Sequence, residues 1–214
     1  IIKSSNKILD QSPLGSAAGF GTTNLQLDRP FTAKQMGFHK AQENPLYCGL
    51  SRGLFEYQCL QAFVPTLMIL SRFNTDLLLF TMQEFGYCSL PDSMTTGSSI
   101  MPQKRNYDVL EIMRGRIKSY IAKTNEIQGI YTGLMSGYNR DVQLVKPLLC
   151  EAVEELHQIF DIFALVIENL KFDAEKCQAA MTDDLYATEK VYDLVAQGMS
   201  FRDAYQQVKK EIFH

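Results

Sequence analysis

Apolar side chains recur at helical spacing along most of this chain. Between Leu50 and Phe85 they fall at Leu54, Tyr57, Leu60, Phe63, Leu67, Leu70, Phe73, Leu77 and Phe80, which predicts one long helix. A kink is expected at Pro65, whose ring removes a helical N–H and crowds the preceding turn. A second long helix is predicted from Gln103 to about Leu134, with Val109, Met113, Ile117 and Tyr120 on its apolar side. A third follows Gly137, from about Val142 to Leu170, with a stripe through Leu148, Leu156, Ile159, Phe163 and Val166. No strand-like alternation competes with these periods. Helices this long with broad apolar faces need several helical neighbours, so the fold class is all-α, a long-helix bundle whose faces continue into other subunits.

The texture changes at both ends. The opening third carries a glycine-rich connector, Ser12-Pro13-Leu14-Gly15-Ser16-Ala17-Ala18-Gly19, then Leu27-Asp28-Arg29-Pro30 and a short helix near Thr32 to Met36. Past Phe172 the periods shorten to Ala174–Met181, Ala187–Ala196 and Phe201–Phe213, with caps at Asp173 and Ser200 and a break at Gly198. The expected organisation is a helical-bundle domain over residues 1–172 and a small C-terminal helical domain over 173–214.

Composition narrows the partners. With 46% hydrophobic residues among 214, the chain can bury a core and disorder is excluded. A net charge of -3 argues against nucleic acid or an anionic membrane surface, leaving a small molecule or another copy of the chain. Cys48, Cys59, Cys88, Cys150 and Cys177 are scattered without close pairs, and His39, His157 and His214 lack ligand spacing. Neither a disulfide framework nor a metal site is expected, no cofactor is called for, and a cytoplasmic location follows. The start, Ile1-Ile2-Lys3-Ser4-Ser5, lacks a signal-peptide pattern, and the apolar run from Phe63 to Leu70 is cut by Pro65 and followed by Arg72, short of a membrane span.

The chemistry concentrates in Thr95-Thr96-Gly97-Ser98-Ser99-Ile100-Met101-Pro102-Gln103-Lys104-Arg105-Asn106. Hydroxyls, a cation and an amide surround a glycine, and Pro102 suits the first turn of the following helix. Ser98 and Ser99 would then stand before a helix N-terminus, where free N–H groups favour an alkoxide or a substrate carboxylate. A Thr-Gly-Ser-Ser stretch alone is more often a capping loop. The full string Gly-Ser-Ser-Ile-Met-Pro-x-Lys-x-Asn is more specific: it resembles the signature of the fumarase/aspartase superfamily, whose members eliminate fumarate from succinyl-bearing substrates.

Within that superfamily the chain resembles the argininosuccinate lyases over essentially its whole length. The connector Ser12-Pro13-Leu14-Gly15-Ser16, Gln103 in Met-Pro-Gln-Lys, and Tyr138-Asn139-Arg140-Asp141-Val142-Gln143-Leu144-Val145-Lys146 carry the resemblance. It implies cleavage of argininosuccinate to arginine and fumarate, a step of arginine biosynthesis, by a homotetramer whose sites gather segments from different subunits. It also implies Ser98 as the base, Lys104 and Asn106 on the succinyl carboxylates, and Glu111 as the acid that orients a catalytic histidine. Ser99, Tyr138, Gln143, Lys146 and Arg52 are the remaining substrate-binding positions. Tyr107 stands where the family commonly has proline. None of the three histidines matches the family's proton donor, so the chain resembles the family without its N-terminal part. Adenylosuccinate lyase keeps the elimination with another leaving group, and a crystallin-like structural protein keeps the scaffold without the chemistry.

Overall fold

The structure, a computed structural model, describes residues 7–212. Two compact units divide the chain, one made of the chain up to Leu78 with Pro91–Asn169, the other of Leu79–Leu90 with the chain from Leu170 onward.

In the first unit the described residues begin with helical residues 7–9, and β1 (Gln11–Ser12) follows, pairing in parallel with β2 (Lys40–Ala41). Between them lies α1 (Arg29–Gln35), capped by Asp28, whose side chain accepts the Phe31 N–H. Arg29 ties this region together: its guanidinium donates to the carbonyls of Leu14 at 3.0 Å, Glu43 at 3.2 Å and Gln42 at 2.6 Å. After α2 (Pro45–Leu50), the predicted long helix over 50–85 is two pieces, α3 (Leu54–Gln61) and α4 (Val64–Phe80). The first break falls at Gly53, whose φ of 83° an L side chain resists, and where the Gly53 N–H donates to Glu56 at 2.7 Å. The second break, at residues 62–63, falls in the turn before Pro65, where the expected kink is a short interruption. Pro65 sits in the first turn of α4, where its missing N–H has no helical partner to lose.

The core is the packing of α5 (Asp108–Tyr131) against α6 (Val145–Asn169), with α3 laid across both. Leu110, Met113, Ile117, Tyr120 and Ile127 of α5 are buried with Val145, Ala152, Leu156, Ile159 and Val166 of α6. These positions keep the spacing of three and four residues that a one-sided helix requires. Tyr120 is fully buried and donates to the Leu60 carbonyl at 2.8 Å, which fixes α3 on α5. Burial, with Cys59 beside it, pushes the Tyr120 phenol well above its ordinary range. Asn74 of α4 is buried too and donates to the carbonyl of Leu110.

Two predicted helix starts move. The second helix begins at Asp108 and not at Gln103, because residues 103–106 turn back to pair with Thr96. The third begins at Val145, after a 3-10 turn over Arg140–Leu144. The stretch Leu54–Phe80 has the length and composition to cross a membrane, against the expectation drawn from Pro65 and Arg72. It is interrupted between α3 and α4, and Leu60, Leu67 and Leu77 lie buried within the protein.

The second unit is built on β3 (Cys88–Ser89), antiparallel to β4 (Lys171–Phe172). Next come α7 (Ala174–Ala179), a 3-10 turn over Asp183–Tyr186, α8 (Ala187–Ala196) and α9 (Phe201–Ile212). Asp173 caps α7 by accepting the Lys176 N–H at 3.0 Å, and Ser200 accepts the Asp203 N–H at 3.2 Å, as expected of both caps. Val191, Ala204 and Val208 form its small core.

Candidate active site

The loop that holds Ser98 is closed at its root. Thr96 and Asn106 pair as a β-bridge, with N–H to carbonyl bonds of 2.9 and 2.8 Å, so residues 97–105 project as one closed loop. The Thr96 hydroxyl donates to the carboxylate of Asp108 at the head of α5, which joins the bridge to the long helix. On the other limb Arg105 pairs with Asp92 at 2.9 Å, and the Thr95 hydroxyl donates to the Asp92 carbonyl at 3.0 Å. Gly97 does not use a backbone conformation reserved for glycine. Its φ is not positive and a Cβ there would meet nothing, so the bridge, not glycine freedom, shapes the loop.

The setting of Ser98 also differs from expectation. It lies ten residues before α5 begins, outside the reach of that helix's terminal N–H groups. Its Oγ instead accepts the backbone N–H groups of Ile100 at 3.3 Å and Met101 at 3.1 Å. Two donors aimed at one oxygen favour its anionic form, so the local turn supplies what the helix dipole was expected to supply. Lys104 and Ser99 are exposed, while Asn106 is half-buried with its amide 3.4 Å from the Gly97 carbonyl. Glu111 is exposed in the first turn of α5 and has no histidine partner among the described residues. His39 is held elsewhere, its backbone N–H donating to Asp10 at 2.8 Å, His157 is exposed on α6, and His214 lies outside the described residues.

A second cluster forms around Tyr138. Gly49 makes it possible: a Cβ on Gly49 would come within 3.3 Å of the Gly137 carbonyl, so its absence lets α2 approach that turn closely. Asn139 pins the turn by donating to the Met135 carbonyl at 2.7 Å. The guanidinium of Arg52 lies 5.2 Å from the centroid of the Tyr138 ring, and the Gln143 amide donates to the Tyr138 hydroxyl at 3.1 Å. Gln143 and Arg52 together hold the phenol below its usual range. Lys146 stands exposed at the start of α6.

Arg52 and Tyr138 line a cleft of about 800 Å³ with the connector from Ser12 to Gly19 and with Met36 and Phe38. None of the residues 95–106 lines it, so the described chain presents the Ser98 loop and the Tyr138 cluster separately. The sequence pattern did not single out Arg29, Asp92 or Asp108, although Arg29 holds the connector and the two aspartates hold the loop. For Asp108 the sequence held no signal, because the helix was expected to begin five residues earlier, at Gln103.

The family model described as Lyase matches residues 1–119. The chain belongs to this lyase family. It is 39% identical over 204 residues to an argininosuccinate lyase of Thermotoga neapolitana, an alignment covering 95% of this chain and 51% of that protein. It is 40% identical over 212 residues to the argininosuccinate lyase of Sorangium cellulosum, covering 99% of this chain and 49% of that one. The chain thus spans about half the length of the curated relatives it matches. Among solved structures, EDDS lyase in complex with formate superposes with a TM-score of 0.80 at 21% identity, over 97% of this chain and 41% of that chain. Class II fumarase from Schistosoma mansoni gives 0.72 at 18% identity, over 97% and 51%. The all-α bundle is therefore the fold this family shares with those lyases.

Proposed function

We propose that the protein is an argininosuccinate lyase, which eliminates fumarate reversibly from argininosuccinate and leaves arginine. The observation that carries this reading is the Ser98 oxygen held under the N–H groups of Ile100 and Met101, in a loop whose other end presents Lys104 and Asn106. The relatives at 39% and 40% identity support the choice of substrate.

The reaction breaks a C–H bond next to a carboxylate, then a C–N bond, and forms the double bond of fumarate. Serine is a weak base in water, and fixed donors that stabilise its alkoxide make it usable. Ser98 takes the proton. The negative charge left on carbon spreads into the adjoining carboxylate, where the Lys104 ammonium and the Asn106 amide counter it. Tyr138, Gln143, Lys146 and Arg52 hold the substrate. Because the chain presents the loop and the Tyr138 cluster separately, we assign the complete site to a homotetramer in which copies contribute different segments.

The test follows fumarate absorbance with argininosuccinate and with adenylosuccinate. Turnover of the first and not the second is expected. Release of fumarate only from adenylosuccinate would reassign the leaving group, and release from neither by the full-length enzyme would overturn the lyase reading.

A further inference from the structure

The cysteines show no pairing along the sequence, yet the fold brings two of them together. In the second unit Cys88 of β3 stands opposite Phe172 of β4, and the Asp173 N–H donates to the Tyr87 carbonyl at 2.9 Å. Asp173 then caps α7, which fixes Cys177 in the first turn of that helix. The Cys177 thiol lies 3.8 Å from the same Tyr87 carbonyl, whose carbon is bonded to the nitrogen of Cys88. Two thiols thus flank one peptide group. Cys88 is buried and Cys177 half-buried, so an oxidant from solvent meets Cys177 first and Cys88 lies behind it. Burial pushes the Cys88 thiol up, and the neighbouring Cys177 adds to the rise. Cys48, by contrast, is buried with its thiol donating to the Gln42 carbonyl at 3.5 Å, and Cys150 is exposed on α6.

We propose that Cys88 and Cys177 are a redox-active dithiol that a hydroperoxide converts to a disulfide, fastening the strand segment to α7. The Cys177 thiolate attacks one peroxide oxygen, the O–O bond breaks, and with one proton taken up a sulfenic acid and water (or an alcohol) result. The Cys88 sulfur then displaces the sulfenic oxygen, which leaves as a second water with the Cys88 proton. Two thiols are oxidised by two electrons, one peroxide is reduced, and the protein loses two hydrogens. A thiol reductant reverses the step. The cross-link would join residues widely separated in sequence and fasten the segment carrying β3 to the one carrying β4 and α7.

The test is a peptide map of the wild-type protein, alkylated under denaturing conditions without reductant, before and after graded hydrogen peroxide. A cross-linked peptide containing Cys88 and Cys177 should appear with peroxide and vanish on treatment with dithiothreitol. Cys177→Ser should abolish it and leave Cys88 alkylatable, with circular dichroism confirming that the variant folds. Recovery of Cys88 and Cys177 as free thiols, or of Cys177 as an isolated sulfinic acid, at a peroxide dose that oxidises the exposed Cys150 would overturn the proposal. The readout is a covalent bond and not an activity, so the result stands whether or not the lyase reading does.

Discussion

The guanidinium of Arg52 stands over the ring of Tyr138, 5.2 Å from its centroid, while Gln143 donates to the phenol oxygen from the side. Both neighbours favour the phenolate and lower the pKa of Tyr138. Where the phenol is protonated in folded and unfolded chains alike, its ionisation adds nothing to stability. As pH rises past the folded-state pKa, the folded chain loses its proton first and gains stability. That gain is complete above the unfolded pKa and is lost as pH falls back through the folded one. Gln143→Leu should move the Tyr138 titration upward. Alkaline difference absorbance, with Tyr138→Phe identifying the responsible ring, measures it, and an unmoved midpoint would contradict the assignment.

Ser98→Ala should lower kcat for fumarate release in the full-length enzyme by about 10²- to 10⁴-fold, the usual worth of a positioned base. Argininosuccinate affinity should change little, because the hydroxyl acts on the transition state. Lys104→Met should weaken binding as well as turnover, since an ammonium on a carboxylate acts in both states. Single-turnover kinetics with a direct binding measurement separates the two. A Ser98→Ala enzyme retaining more than a tenth of wild-type turnover would remove Ser98 as the base.

Periodicity located the long helices because their burial is one-sided: Met113, Ile117 and Tyr120 lie where the spacing put them, and α8 runs from Ala187 to Ala196 as expected. It failed where a local backbone event outweighed the pattern. At Gly53 a positive φ ends the helical run although apolar residues continue at the same spacing. At 103–106 a hydrogen-bonded return to Thr96 prevails over the helix start expected after Pro102. Such pairings depend on a partner several residues away, and spacing alone does not record it. The chemistry-bearing residues were legible as a motif, but what holds Ser98 was not: the donors are main-chain groups of Ile100 and Met101, which have no sequence signature. The encounter of Arg52 with Tyr138 depends on the close approach of Gly49 to Gly137, again a property of the folded chain.

Glu155 of α6 is 3% exposed and is met by Lys123 of α5 at 3.0 Å and by Arg116 at 3.5 Å. Lys123 also donates to Ser119 at 2.8 Å. Replacing Lys123 by Met leaves the buried carboxylate with its more distant partner alone, and should cost about 3 kcal/mol. Replacing Glu155 and Lys123 together by Met removes the stranded charge and should return most of that loss. Urea midpoints of the single and double variants decide it. A double variant as unstable as Lys123→Met would show that packing, not the unpaired charge, sets the cost.

The protein should assemble as a homotetramer. Met68 and Ile69 on α4 and Ile162, Leu165 and Ile167 on α6 are exposed apolar side chains on helices whose opposite faces are already buried. Sustained apolar surface of this kind on long helices is a common basis for subunit contact. Light scattering at micromolar concentration should give four copies. Met68→Glu combined with Ile69→Lys should shift the assembly towards smaller species without loss of helicity. A well-folded wild-type monomer would sink the proposal.

The last expectation concerns the proton that the departing guanidinium nitrogen requires. In the proposed mechanism Ser98 is the base and Lys104 with Asn106 the carboxylate clamp, and no bond joins either described histidine to them: the His39 backbone N–H donates to Asp10, and His157 lies on α6. Glu111, exposed at the head of α5, has no imidazole to orient. An elimination site works only when base, clamp and acid are held to within about half an ångström of productive geometry. Preparations whose intact mass matches these 214 residues should therefore release no measurable fumarate from argininosuccinate. Co-refolding with the part of a lyase relative that this chain does not cover, such as that of the Thermotoga neapolitana enzyme, should restore turnover, and Glu111→Gln in that mixture should lower it again by weakening the acid's orientation. Robust turnover by the 214-residue chain alone would place the acid among its own residues and would send the search back to His39 and His157.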